Sequence, residues 1–149
     1  MKDYSAGHIS SKESEEIIKS LENELGNEDI NFYSGVQYRH ILMTNGIGEN
    51  TTCIPPHEII DKNILEFLPT GIEADRIIDL MKASYKILKN HPVNITRIKE
   101  GKNPATHIWL WGQGRQMKLE SYKNLYGLSG GIISAVDLLK GLALSLIHI

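Results

Sequence analysis

Apolar residues recur at helical spacing at Ile17, Ile18, Leu21 and Leu25, which predicts a helix over 11–25. Ser10-Ser11-Lys12-Glu13 supplies a capping box, because the Ser10 hydroxyl can satisfy an orphan amide while Glu13 reaches back to the cap amide. Gly26 is expected to end the helix in the left-handed conformation. From Ile30 the period falls to two. Ile30 and Phe32, a turn at Ser34-Gly35, then Val36, Tyr38, His40 and Leu42 on one face predict a hairpin-like pair of strands. Residues 46–70, with Gly46, Gly48, Pro55-Pro56 and Pro69, read as a long loop built from local turns. A second amphipathic helix carries Ile77, Ile78, Met81, Tyr85 and Leu88 on one stripe and stops before Pro92. A short helix over 94–100 is closed by Gly101, and Ile108-Trp109-Leu110-Trp111 suits a buried strand.

If Met1 to Ala6 form a strand, the order is strand, helix, strand, strand, helix, strand. That is the ferredoxin-like split β-α-β order of an α+β sandwich, with two helices covering one face of a sheet. A small helix at 119–126, a strand run at 131–136 and a helix from Asp137 have no room in that sandwich. They read as the start of a different domain.

The 149 residues suit about one compact domain. With 41% hydrophobic and 23% charged residues the composition is that of an ordinary globular protein. A net charge of -2 supplies no basic field, so nucleic acid and membrane surfaces are not expected partners. The longest apolar run, near the C-terminus, is broken by glycines and falls short of a spanning helix. Cys53 is the single cysteine and no apolar leader precedes Met1-Lys2-Asp3-Tyr4, so a reducing cytoplasm is the expected setting. The chain opens on a strand-like segment and closes inside the apolar stretch Gly141 to Ile149 without a helix stop, as expected of part of a longer protein.

The common enzyme signatures are missing: no phosphate loop, no dinucleotide fingerprint, no nucleophile elbow and no His-Glu-x-x-His. Cys53 and His57 lack the two further ligands of a structural zinc site, and a loop thiol beside a loop histidine is the simpler reading. Asn50-Thr51-Thr52 and Asn94-Ile95-Thr96 match the glycosylation pattern, which has no physical meaning without a secretory leader. What remains is a scatter of cationic and imidazole groups beside glycine or proline turns: His8 after Ala6-Gly7, Arg39-His40 after Tyr38, His57 after Pro55-Pro56, and Arg115 after Gly112-Gln113-Gly114. Arginine matches a phosphate or carboxylate with a planar fork and histidine adds a donor, so these groups suit a small, doubly anionic ligand. His40 shares the apolar face with Tyr38 and Leu42 and reads as a satisfied core or interface histidine, which leaves Arg39 as the choice of the two. Trp109 and Trp111 read as core filling, and Lys99 and Lys102 as a solvated face. Spacing alone reaches an anion-binding α+β domain and stops there.

Several strings together resemble the archaeal-type 2,3-bisphosphoglycerate-independent (cofactor-independent) phosphoglycerate mutases of the alkaline-phosphatase-like metalloenzyme superfamily. They are Asp3-Tyr4-Ser5-Ala6-Gly7-His8-Ile9, Tyr38-Arg39-His40, Pro55-Pro56-His57, Lys89-Asn90-His91-Pro92-Val93-Asn94, Gly101-Lys102-Asn103-Pro104-Ala105, Ile108-Trp109-Leu110-Trp111-Gly112-Gln113-Gly114 and Ile133-Ser134-Ala135-Val136-Asp137-Leu138-Leu139-Lys140-Gly141. They stand in the family's order and span residues 1 to about 143. The resemblance implies an inserted substrate-binding (phosphotransferase) domain over 1–130 and a returning segment of the metal-binding phosphatase-like domain over 131–143. A tail over 144–149 departs from the family and resembles translated adapter sequence, so it is set aside from fold reasoning.

The implied reaction interconverts 2-phosphoglycerate and 3-phosphoglycerate, a glycolytic and gluconeogenic step, through a phosphoserine intermediate. The implied cofactors are two divalent metal ions (Mn, Mg or Zn) in the full-length enzyme, none of them bound by this stretch. The nucleophilic serine and the metal ligands are expected outside it, so the stretch alone is expected to be inactive. Carried over position by position, the resemblance gives His8, Arg39, Arg115, His57 and Lys140 as substrate-binding residues. The alternatives are a related phosphotransferase with another acceptor, such as homoserine, and a non-catalytic anion-binding module. No oligomeric state follows from the sequence.

Overall fold

The first helix, α1 (Ser11–Leu25), forms where the pattern places it. The Glu13 amide donates to Ser10 Oγ at 3.3 Å and the Ser10 amide donates to Glu13 Oε2 at 3.0 Å, which completes the capping box. Its end differs from expectation. Gly26 has φ -65°, not a left-handed value; glycine is needed because a Cβ there would meet the Glu22 carbonyl oxygen at 2.3 Å. The computed structural model describes residues 1–115, 118–134 and 137–147 as two compact units, 1–114 and 115–149.

In the first unit β1 (Ile30–Tyr33) pairs antiparallel with β2 (Ile41–Thr44), from Ile30 opposite Thr44 to Tyr33 opposite Ile41. The hairpin is therefore real, but Val36, Tyr38 and His40 lie in its connection and not in its second strand. Local bonds explain the difference. Gln37 takes φ +55° and its amide donates to Ser11 Oγ at 3.1 Å, while the Arg39 amide closes a turn on the Val36 carbonyl at 3.1 Å. The expected long loop contains two short 3₁₀ turns, 56–58 and 64–67, and a second antiparallel pair, β3 (Thr51–Thr52) with β4 (Thr70–Gly71). Helix α2 (Ala74–Leu88) buries Ala74, Ile77, Met81, Ser84 and Leu88, leaving Tyr85 exposed. Helix α3 (Pro92–Lys99) begins at Pro92, whose missing N–H costs nothing in the first turn.

Two of the four strands of the split β-α-β order are not strands. Residues 1–8 wind into turns around the Asp3 carboxylate, and 108–111 run without a ladder among the described residues. The architecture is thus α+β with two separate two-stranded antiparallel sheets. The 131–134 part of the expected later strand is not extended into a ladder, and Ala135 and Val136 lie outside the described residues. The second unit contains α4 (Tyr122–Tyr126), shorter than the 119–126 expected, capped by Ser121 and ended by Gly127 at φ +67°. It also contains α5 (Asp137–Ile147), which runs on through most of the tail set aside above.

The core lies between α1, β1 and the α2–α3 corner: Ile9, Ile17, Ile18, Leu21, Phe32, Leu88 and Val93. Full burial of each such side chain is worth about 1.5–3 kcal/mol. A second cluster, Ile47, Ile77 and Met81, is covered by Trp109 and Leu110. Segment 105–109 is held by side chains in place of a sheet. Asn94, 1% exposed, donates to the Leu88 and Ala105 carbonyls at 2.8 Å each and accepts from the Ala105 amide at 2.9 Å. Ser84 Oγ accepts from the Ile108 amide at 3.0 Å. His91 caps α3 through Nδ1, which accepts from the Val93 amide at 3.3 Å, while its Nε2 meets Ser20 Oγ at 2.9 Å.

Asn94→Asp is expected to destabilise more than Asn94→Ala. Both lose two donors, at about 1–3 kcal/mol for each buried partner left unpaired, and the aspartate adds a charge against two carbonyl oxygens. Urea midpoints of the two variants check the order; equal midpoints would contradict it. Stability is also expected to fall with acid in two steps. Burial pushes His40, His91 and His107 below the ordinary histidine value, with Glu16 partly offsetting the shift at His91. Each therefore favours the folded state above about pH 6.5 and loses that contribution as pH falls. Glu13, held to about 2 first by the Ser10 hydroxyl, and Asp3, held to about 2, stabilise above their ordinary values and lose this as pH falls toward 2. His91→Asn, which keeps a capping acceptor, should shrink the first step; a flat wild-type profile from pH 7 to 5 would sink this account.

Candidate functional site

Asp3 organises the turn that carries His8. Its carboxylate accepts from the Ser5 amide at 2.8 Å, the Ser5 hydroxyl at 2.7 Å, the Gly7 amide at 2.5 Å and Asn103 Nδ2 at 3.1 Å. Burial pushes the Asp3 carboxyl up, but these donors outweigh it and leave the group ionised down to about pH 2. Around it Ala6, Gly7 and His8 take φ values of +48°, +66° and +52°, three left-handed residues in succession. For Ala6 and His8 that conformation costs about 1–2 kcal/mol each. It persists because the peptide groups are tied: the His8 amide donates to Ser5 Oγ at 3.1 Å and the Ile9 amide to the Ser5 carbonyl at 3.1 Å. His8 itself is exposed.

A chain of rings joins this turn to two other segments. Tyr4 meets Tyr38 edge-on at 5.5 Å between centroids and His57 at 6.5 Å, and His57 meets Trp111 at 5.6 Å. The Arg39 guanidinium carbon lies 5.7 Å from the Tyr38 ring centroid, an exposed cation-π contact of about 0.5–1 kcal/mol. The loop bearing His57 is fastened to the tryptophan segment, since Trp109 Nε1 donates to the Ile54 carbonyl at 2.8 Å and Gln113 Nε2 donates to the Thr51 carbonyl. Pro56 opens the 3₁₀ turn that presents an exposed His57. Trp109 and Trp111 therefore do different things: Trp109 covers the core, as expected, while Trp111 is half exposed and faces His57.

Of the five residues expected to bind substrate, His8, Arg39 and His57 belong to the first unit, on segments linked by this ring chain. Arg115 and Lys140 are exposed residues of the second unit, Lys140 on α5. His40 is the satisfied histidine expected, its Nδ1 accepting from the Gly35 amide at 3.1 Å, although it sits in a turn and not on a strand face. Cys53 packs partly buried against the Ile47–Ile77–Met81 cluster, and burial pushes its thiol up, so it stays protonated near neutrality. Among the described residues no three His, Cys, Asp or Glu side chains converge to hold a metal ion, so this donor set does not fit a divalent cation and no chemistry here is routed through one.

Arg97 and Asp3 went unrecognised as site-forming residues in the sequence. Both lie inside or beside the family-like strings quoted above, yet nothing in a lone arginine at helical spacing separates it from the solvated Lys99 and Lys102. Among the described residues, no helix is long and apolar enough to cross a membrane.

The model of the 2,3-bisphosphoglycerate-independent phosphoglycerate mutase family matches residues 1–94. The chain is 53% identical over 143 residues to the Methanosarcina barkeri protein of that name, covering 95% of this chain and 36% of the relative. To the Methanosarcina mazei protein of the same name it is 49% identical over 145 residues, covering 97% and 36%. The cofactor-independent phosphoglycerate mutase of Thermoplasma acidophilum shares the fold at a TM-score of 0.62 and 21% identity, over 95% of this chain and 40% of that one. The chain thus spans about 36% of the length of these curated relatives. A family match over more than half of its residues, on the span that carries His8, Arg39 and His57, means that the chain belongs to the 2,3-bisphosphoglycerate-independent phosphoglycerate mutase family.

Proposed function

We propose that this stretch is the substrate-gripping part of an enzyme that interconverts 2-phosphoglycerate and 3-phosphoglycerate. The observation that carries the reading is the ring chain Tyr38–Tyr4–His57–Trp111, which ties the segments bearing Arg39, His8 and His57 to one another. A phosphoglycerate carries a carboxylate at one end and a phosphate at the other. It asks for a planar cationic fork, which Arg39 offers, and for neutral or cationic donors that tolerate a moving ligand, which His8 and His57 offer. An exposed guanidinium resting on a tyrosine ring keeps its charge and loses little freedom when it engages an anion.

Residues 1–130 are read as the inserted substrate domain and 131–143 as a segment returning to a phosphatase-like domain, and Arg115 and Lys140, in the second unit, are each read as a substrate-binding residue. In the intact enzyme two divalent ions, held by residues beyond this stretch, would supply charge stabilisation for the phosphoryl group and activation of a serine nucleophile. The chain's own residues hold the glycerate while the phosphoryl group is on the enzyme, so that it can turn without leaving. The cytoplasmic setting of a central-carbon enzyme goes with this reading.

The test is a mutase assay on the protein encoded with both flanking sequences, compared with the 149 residues alone. Metal-dependent turnover is expected from the long form only; turnover by the short form would overturn the assignment. In the long form Arg39→Ala and Arg115→Ala should each lower kcat/KM by about 10- to 100-fold, the scale of a lost hydrogen bond to a charged group. Lysine at position 39 should restore only part of the loss, since it lacks the fork. An unchanged kcat/KM in either alanine variant would remove that arginine from the site.

A further inference from the structure

We infer that Arg97 is a positioning residue whose buried guanidinium fixes the left-handed turn that aims His8, and so sets substrate affinity without touching the substrate. The inference rests on the reading of His8 as a substrate group.

Arg97 is 2% exposed, and each of its nitrogens has a different partner. Nε donates to the Asn103 carbonyl at 2.9 Å, Nη1 donates to Glu13 Oε1 at 2.8 Å, and Nη2 donates to the Ala6 carbonyl. The peptide between Ala6 and Gly7 is therefore gripped on both polar edges, its oxygen by the Arg97 cation and its N–H by the Asp3 carboxylate. Asn103 closes the ring, because its carbonyl accepts from Arg97 and its amide nitrogen donates to Asp3 at 3.1 Å. The orientation of that one peptide plane sets where Gly7 stands, and the chain passes from Gly7 directly to His8.

Three features separate this from ordinary packing. The gripped peptide lies in a run of three positive φ values, two of them at residues with a Cβ, so the turn would relax if released. A Cβ on Gly7 would stand 3.4 Å from Arg97 Nη2 and 3.5 Å from the Asn103 Cβ, ordinary van der Waals distances, so the guanidinium and Asn103 line the face of the turn at Gly7. Burial pushes the Asp3 carboxyl up, but its hydrogen-bond donors outweigh this and hold it to about 2, so the carboxylate side of the clamp stays charged near neutrality. The clamp is a fixed frame and not a switch. Lysine cannot replace it, since an ammonium has no planar fork to span acceptors from Ala6, Glu13 and Asn103.

The test is a double-mutant cycle in the full-length mutase, with Arg97→Lys and Asn103→Ala each made alone and combined with His8→Ala, and KM and kcat for 3-phosphoglycerate measured separately. Arg97→Lys alone should lower kcat/KM by about tenfold or more, chiefly through KM, and Asn103→Ala by less, as befits a displaced contact. On the His8→Ala background both losses should shrink to within about twofold, because their target is gone. Losses that persist undiminished on that background would make Arg97 a merely structural residue and overturn the inference while leaving the reading of His8 intact. An active wild type with an unimpaired His8→Ala variant would refute the reading of His8, and this inference with it. Should Arg97→Lys not fold, the milder Asn103→Ala decides: no loss of kcat/KM, or a loss additive with His8→Ala, overturns the proposal.

Discussion

A guanidinium taken almost entirely out of water is costly unless each of its donors finds an acceptor, and Arg97 finds them in three separate parts of the chain. One acceptor is the carboxylate that also caps α1, one is a carbonyl of the left-handed turn, and one belongs to the chain leaving α3. The single residue thereby sets the start of the first long helix, the shape of residues 3–9 and the exit of residue 103. Removing one partner would leave a buried charge short of a bond, which is the kind of loss small domains tolerate least, about 3–5 kcal/mol. The rest of the first unit is arranged around that frame.

The same preference for side-chain fastening over ladders runs through the unit. Ser84 and Asn94 do for Ala105 and Ile108 what a neighbouring strand would otherwise do, and Trp109 and Gln113 fasten the tryptophan segment to the loop that ends in His57. Two short sheets and many specific polar bonds leave the exposed ring chain as the surface on which Arg39, His8 and His57 are displayed. Display on fastened loops is what the proposed ligand site requires, because rigid positions and exposed side-chain tips coexist there.

Much of this was legible in the residues themselves. The capping box at Ser10–Glu13, the stripe Ile17–Ile18–Leu21 and the stripe Ile77–Met81–Leu88 depend only on local spacing, so α1 and α2 came out within a few residues. The strands at 1–6 and 108–111 were misread for one physical reason: alternation and apolar content report burial, but pairing depends on what lies alongside. At residues 1–8 the Asp3 side chain competes for the backbone amides, and at 108 a serine hydroxyl takes the amide instead of a strand. His40 and Gln37 were drawn into a strand because a residue with φ +55° leaves no trace in a hydrophobic pattern. Of the proposed site, His8, Arg39 and His57 stand out in the sequence because they sit beside turn residues in strings that resemble the family. Arg97 was invisible, since burial of a charge is decided by partners up to 91 residues away in the chain.

The proposed clamp is made from a turn, a hairpin connection and a proline-led loop, which offer His8, Arg39 and His57 at the surface. The most direct measurement is a crystal structure of the full-length protein with 3-phosphoglycerate bound. The account predicts the carboxylate or phosphate of the ligand within hydrogen-bond distance of Arg39 and His8, with the 6–8 turn still left-handed. A ligand bound away from both residues would contradict it.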